Sequence, residues 1–118
     1  MLETISTVQR SLKGKDVEIV CLRGRLDAAS APELREEFRE FIASGHSRLV
    51  LEFSGASFID SSGISVIITL LKAATVAGGD VVLARLSPPV RSILELTRLN
   101  KVFRIFDDVD SACDSFAP

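Results

Sequence analysis

From residue 30 to the C-terminus, helical patterns and short apolar runs take turns without exception. "SAPELREEFREFIASG" (30–45) places Leu34, Phe38, Phe41 and Ile42 on one narrow face of an otherwise charged helix. Ser30 and Glu33 have the spacing of a capping box, Pro32 lies in the first turn, and Gly45 supplies the stop. "RLVLEF" (48–53) reads as a strand, "SSGISVIITLLKAATVAGG" (61–79) as a helix and "DVVLARL" (80–86) as another strand. Ser87 and Pro88 open a further helix, "KVFRIF" (101–106) is a last strand, and "DDVDSACDSF" (107–116) a closing helix. Ahead of this alternation, residues 3–10 and "VEIVCLR" (17–23) flank a turn-like "KGKD", which predicts a hairpin. The expected architecture is an α/β sandwich: a small, mostly parallel sheet with an N-terminal hairpin edge and about four helices joined by right-handed crossovers.

The chain has 118 residues, which fits a single domain spanning 1–118. With 47% hydrophobic and 25% charged residues, it has the composition of a packed globular core. Its net charge of −2 argues against a nucleic-acid or anionic-membrane surface, both of which call for a basic excess. No stretch approaches the roughly 20 apolar residues of a membrane span, and "MLETISTVQRS" lacks the apolar core of a signal peptide. Cys21 and Cys113 have no C-x-x-C spacing, as expected of reduced thiols in a cytoplasm. His46, the only histidine, and two distant cysteines cannot build a zinc site of three or four nitrogen and sulfur ligands. No metal or other cofactor is expected.

The chemistry concentrates in "SFIDSSGISV" (57–66), where an apolar run stops at Asp60 and a helix begins. In open α/β sheets, sites gather at the carboxyl ends of strands, and a helix start there exposes unpaired N–H groups. Four readings apply. Asp60 or a serine can simply cap the helix, worth about 1 kcal/mol. Ser61 or Ser62 can be a nucleophile, but that requires a base, and the second glycine of a G-x-S-x-G elbow is missing after Ser65. A phosphate cradle lacks both glycine-rich nucleotide motifs. Finally, a serine here can itself be phosphorylated: the helix dipole tolerates the added charge while the surface changes sign.

The helix that follows has more apolar surface than one packed face needs. Ser65, Thr69, Lys72 and Val76 form its one partly polar stripe. Either the helix is deeply buried, or part of the surplus, namely Val66, Leu70 and Ala73, is a docking patch beside the serines.

"FIDSSGISVI" resembles the signature of the STAS domain, in particular the bacterial anti-sigma factor antagonists. "LRGRLDAASAPELREEF", "LARLSPPVRSILELTRL" and "VFRIFDD" agree with that family in order and spacing. The resemblance implies a binding module without catalytic residues. In this family an anti-sigma factor with serine kinase activity binds the unphosphorylated antagonist and frees its sigma factor. The kinase then uses ATP to phosphorylate the first serine after the motif's aspartate, which abolishes binding, and a metal-dependent serine phosphatase resets the protein. Carried onto this chain, the acceptor is Ser61, with Ser62 the second choice. Asp60 holds the loop and the kinase contact, Gly63 keeps the approach uncluttered, and Asp27 matches the family's aspartate in the neighbouring loop. Read by itself, Asp27 is a turn or cap residue. Two positions depart from the pattern: Ser65, where family members often have a small residue, and Arg98, where they often have glycine.

A STAS adaptor in another signalling scaffold or a lipid-transport complex keeps the fold and changes the task. A small hydrolase using Ser61 or Ser62 is the reading of a different class, and it lacks a base and an oxyanion motif.

Overall fold

Two long strands open the chain, β1 (Leu2–Leu12) and β2 (Lys15–Leu26), paired antiparallel as the hairpin pattern predicts. The computed structural model describes residues 2–12 and 15–116, with side chains from Asp16 onward, so the expected turn at Lys13 and Gly14 lies outside the described residues. The remaining strands, β3 (Arg48–Ile59), β4 (Asp80–Ala84) and β5 (Arg104–Phe106), add in sequence order, each parallel to its predecessor. Parallel neighbours taken in order require crossovers of one hand, so the connecting helices share one face of the sheet. These are α1 (Ala31–Ala43), α2 (Ser61–Val76) and α3 (Pro88–Leu96).

Strand periodicity divides the apolar residues between two layers. Val20, Leu22, Leu51, Phe53 and Leu83 meet Leu34, Phe38, Val66, Leu70, Val90 and Leu94 beneath the three helices. Val17, Ile19, Val50 and Val82 point the other way, where the short α4 (Val109–Asp114) covers them with Ala112 and Cys113. This two-sided burial explains why β2 and β4 read as continuous apolar runs rather than alternating ones.

β3 runs well beyond the expected 48–53. It stays paired to the end of β2 by inserting an extra residue twice: Cys21 and Arg23 face Glu52 and Gly55, and Gly24 and Arg25 face Ala56 and Phe58. The residues it turns to the helix layer accordingly pass from alternate positions (Leu49, Leu51, Phe53) to every third (Phe53, Ala56, Ile59). At the first bulge a Cβ on Gly55 would sit 2.7 Å from Arg23 Cγ, so the glycine makes room for that stem.

Two further boundaries differ from expectation. β4 stops at Ala84 because Arg85 turns to φ 54°, its N–H donating to Phe106 O at 3.0 Å. β5 begins only at Arg104, since Leu99–Lys101 coil into a 3₁₀ turn. That turn is entered through Arg98, left-handed at φ 61° and ψ 18°, whose N–H donates to Glu95 O. A side chain in this region costs about 1–2 kcal/mol, partly offset by the flexibility a glycine adds to the unfolded chain. Arg98→Gly is therefore expected to raise the thermal midpoint by about 2–4 °C, read by calorimetry.

Candidate functional site

The register Leu26↔Ile59 makes Asp27 and Asp60 the next residues out of two adjacent parallel strands. Both acidic residues thus stand side by side at the carboxyl edge of the sheet, the place where such folds assemble sites.

Asp60 is extended (φ −118°, ψ −171°) and caps α2. Its Oδ1 accepts from the Ser62 N–H at 2.8 Å and the Gly63 N–H at 3.2 Å, while its own N–H donates to Leu26 O at 3.1 Å. One residue therefore satisfies two orphan donors of the helix and ties its start to β2. Gly63 completes the fit. It is buried, and a Cβ there would lie 2.5 Å from Leu26 O and 3.0 Å from both Leu26 Cβ and Ile59 Cγ1. Its place is internal and not at the open approach to a partner that the family resemblance implies.

Ser61 is the first helical residue and is exposed, and its hydroxyl has no hydrogen-bond partner among the described residues. Ser62 is half-buried beside it. Ser61 stands on a ridge between two shallow clefts. One, of about 370 Å³, is lined with Ala28, Ala31, Pro32, Arg35, Ser62 and Ser65. The other, of about 460 Å³, takes in Ile64, Ile68, Lys72, Thr97 and Leu99.

The loop after β2 is ordered by Asp27, not by the expected capping box. Asp27 Oδ1 accepts from the N–H groups of Ala29 and Ser30 at 3.1 and 3.2 Å, and Oδ2 accepts from Arg25 Nε at 3.2 Å. With the Ser30 N–H donor taken by this turn, the Ser30 hydroxyl reaches back to Arg25 O at 2.7 Å, and α1 has no side-chain cap. Arg25 also lies over the Phe58 ring at 4.1 Å, joining the β2 and β3 exits.

Partial desolvation pulls the Asp27 carboxyl up, but hydrogen bonds from the Ser30 N–H, the Arg25 guanidinium and the Ala29 N–H outweigh it and hold the group below its ordinary value of 3.8. Asp108, which caps α4, is held down by the Ser111 N–H and hydroxyl against a smaller desolvation effect. Both carboxyls are thus depressed in the folded state. They stabilise the fold above pH 3.8, and that contribution disappears as pH falls through their native values. Denaturant melts at descending pH are expected to lose stability below about pH 4, with a shallower fall in Asp27→Asn than in the parent.

The apolar surplus on α2 is mostly core. Val66 and Leu70 are only 2% and 3% exposed, and Ala73 is half-buried. These three turn toward α1 and do not form an open patch, which corrects the docking surface expected there. The apolar groups that do reach the surface beside Ser61 are Ile64 and Ile68, on the other flank, with Leu99 from the 3₁₀ turn. A helical wheel reveals the surplus but not which flank the neighbouring helix covers, so the sequence reading took the wrong side. Leu99 and Pro32 arrive from distant elements, and no local pattern marks them.

Neither His46 nor Asp60 is placed to activate Ser61 as a nucleophile. His46 follows α1 at the opposite edge of the sheet, with Nδ1 3.4 Å from Glu18 Oε1, and Asp60 Oδ1 is engaged by backbone N–H groups. Among the described residues, no group of three or more His, Cys, Asp or Glu is placed to hold a metal ion, and no helix is long and apolar enough to cross a membrane.

An anti-sigma F factor antagonist from Paenibacillus polymyxa is 32% identical over 95 residues, covering 80% of this chain and 81% of the relative. The crystal structure of a candidate anti-sigma factor antagonist from Thermotoga maritima matches with a TM-score of 0.81 and 25% identity, over 92% of each chain. The anti-sigma factor antagonist SpoIIAA, in its unphosphorylated form, matches with a TM-score of 0.75 over 93% of this chain and 95% of its own; at 21% identity that likeness is one of fold. A phosphorylated form of SpoIIAA from Bacillus matches with a TM-score of 0.68 at 20% identity, over 93% of this chain and 98% of that one. The family model for the STAS domain matches residues 10–112, and with the sheet order, the helix layer and the Asp60–Ser61 junction described above, this chain belongs to the STAS domain family.

Proposed function

We propose that this chain is an anti-sigma factor antagonist that switches partners through phosphorylation of Ser61. The observation that carries this reading is the Ser61 hydroxyl itself: exposed, unpartnered among the described residues, and set at the first position of a helix already capped by Asp60. A kinase can take this hydroxyl without breaking a hydrogen bond of the fold, and the α2 dipole accommodates the phosphate. The relatives named as antagonists support the assignment of the partner class.

In this reading the whole chain, 1–118, acts as one cytoplasmic binding domain with no catalytic residue of its own. The unphosphorylated surface formed by Ser61, Ser62, Asp60 and the Asp27 loop binds an anti-sigma factor with serine kinase activity, which frees its sigma factor. Phosphate on Ser61 ends the contact, and a metal-dependent serine phosphatase restores it. Ser62 is the lesser acceptor, because it is half-buried and its N–H is bonded to Asp60.

The test is to incubate the protein with ATP and kinase-type anti-sigma factors, then locate the phosphate by mass spectrometry. Phosphate is expected on Ser61 and absent from Ser61→Ala. Phosphate confined to Ser62, or no modification by any such kinase, contradicts the assignment.

A further inference from the structure

Between α1 and α2 lies a groove of about 330 Å³ that does not include Ser61. Its origin is in side-chain size: Ala43 on α1 and Thr69 and Ala73 on α2 stand where larger residues would close the gap between the helices. Phe38, Val66 and Leu70 form an apolar floor, with Ile42 at one side. The Thr69 hydroxyl donates to Ser65 O at 2.9 Å, so it offers a ligand only acceptor lone pairs.

The charge at this groove is one-sided. Arg35 and Arg39 sit one turn apart on the α1 rim, and no carboxylate lines the groove. Arg39 is paired with Glu36 at 3.3 Å. Arg35 is exposed and has no ion pair among the described residues. Its neighbours at helical spacing are Ala31, Pro32, Phe38 and Arg39, none of them acidic. A guanidinium without an internal partner, at the rim of an apolar trough, complements an anion that carries a hydrocarbon tail.

The size of the groove selects among such anions. Its volume is at the lower end of the roughly 300–1,000 Å³ of small-ligand sites. Val66 and Leu70 are almost closed to solvent, so the apolar surface a thin chain can touch is that of Ile42, Ala43 and Ala73 above them. A partner helix would need an open apolar face of several hundred Å², on the order of half a standard interface of about 800 Å² per side. We propose that the α1–α2 groove binds a single-chain carboxylate amphiphile, its alkyl chain along Ile42, Ala43 and Ala73 and its carboxylate on Arg35. This site does not include Ser61 but shares Arg35 with the cleft beside it, so the test uses the unphosphorylated protein, whose result does not depend on the switch.

The experiment titrates methyl-labelled full-length protein with sodium decanoate below its micelle concentration, with decylammonium and decanol as parallel arms, followed by NMR. Saturable shifts confined to the methyls of Ile42, Val66, Leu70 and Ala73 are expected with decanoate, with decylammonium weaker by about tenfold or more. Arg35→Gln, an exposed change that leaves the fold intact, is expected to weaken decanoate about fivefold. Ala73→Leu fills the groove and is expected to abolish binding, while Ala73→Ser retains it. Equal affinity for all three head groups, shifts spread across the whole domain, or no saturation overturns the proposal. So do groove shifts that appear on raising protein concentration alone, which would make a second copy the occupant, or shifts produced by the anti-sigma partner while decanoate has no effect.

Discussion

Gly63→Ala is expected to destabilise the protein by about 1–3 kcal/mol, although alanine is the better helix former by about 1 kcal/mol. The added methyl meets Leu26 O at 2.5 Å, a backbone atom that cannot rotate away, with Leu26 Cβ and Ile59 Cγ1 close behind. Relief requires the first turn of α2 to lift from the end of β2. That movement strains the Asp60 cap and the Asp60 N–H to Leu26 O bond, the contacts that place Ser61. Stability and phosphorylation are therefore expected to fall together. Ser65→Ala, an exposed change on the same helix, is the control and is expected to stay within about 0.5 kcal/mol of the parent. Chemical denaturation of the three proteins reads the difference, and a Gly63→Ala variant as stable as the parent would show that the junction is looser than its contacts indicate.

Phosphate on Ser61 is expected to weaken the anti-sigma complex by between about a hundredfold and a few thousandfold. The proposed contact covers Ser61, so the modified protein must strip water from nearly two negative charges on binding. An uncompensated buried charge costs about 3–5 kcal/mol, which converts to that range. In the free protein the same phosphate is comfortable. It lies in solvent at the α2 N-terminus, with Arg35 in one adjoining cleft and Lys72 in the other. Both cations are exposed, so their attraction is screened and leaves the fold unchanged. The switch thus needs no large movement: the free state tolerates the charge and the complex does not. Ser61→Glu carries less charge and is expected to reproduce part of the loss, while Ser61→Ala binds like the unmodified parent.

The alternation of helical and apolar segments was enough to read the sheet, its hairpin edge and the helix layer, because each element shows its own period. Asp60 was legible as a cap for the same reason: an acidic residue at the end of an apolar run, ahead of a helical pattern, has few other uses. The far half of β3 was not legible. Its two bulges change the spacing of the residues that face the helix layer from two to three, and "SGASFI" carries no alternation to detect. Ser30 misled because Asp27, three residues earlier, bonds the Ser30 N–H and draws the Ser30 hydroxyl back to Arg25 O. Val66 and Leu70 misled in a different way. Their apolarity was plain, but which flank of α2 meets α1 depends on contacts between elements that local periodicity does not encode. The site divides along the same line: Asp60, Ser61 and Asp27 could be found from motif and position, whereas Arg35, Ile64 and Leu99 join it only through the packing of α1, α2 and the 3₁₀ turn.

The most direct test of the switch is a calorimetric titration of one kinase-type anti-sigma factor with the same protein before and after stoichiometric phosphorylation at Ser61. Tight binding before modification and a loss of about a hundredfold or more after it is the expected result. Equal affinity for the two forms would contradict the account, because the charge on Ser61 would then govern no partner.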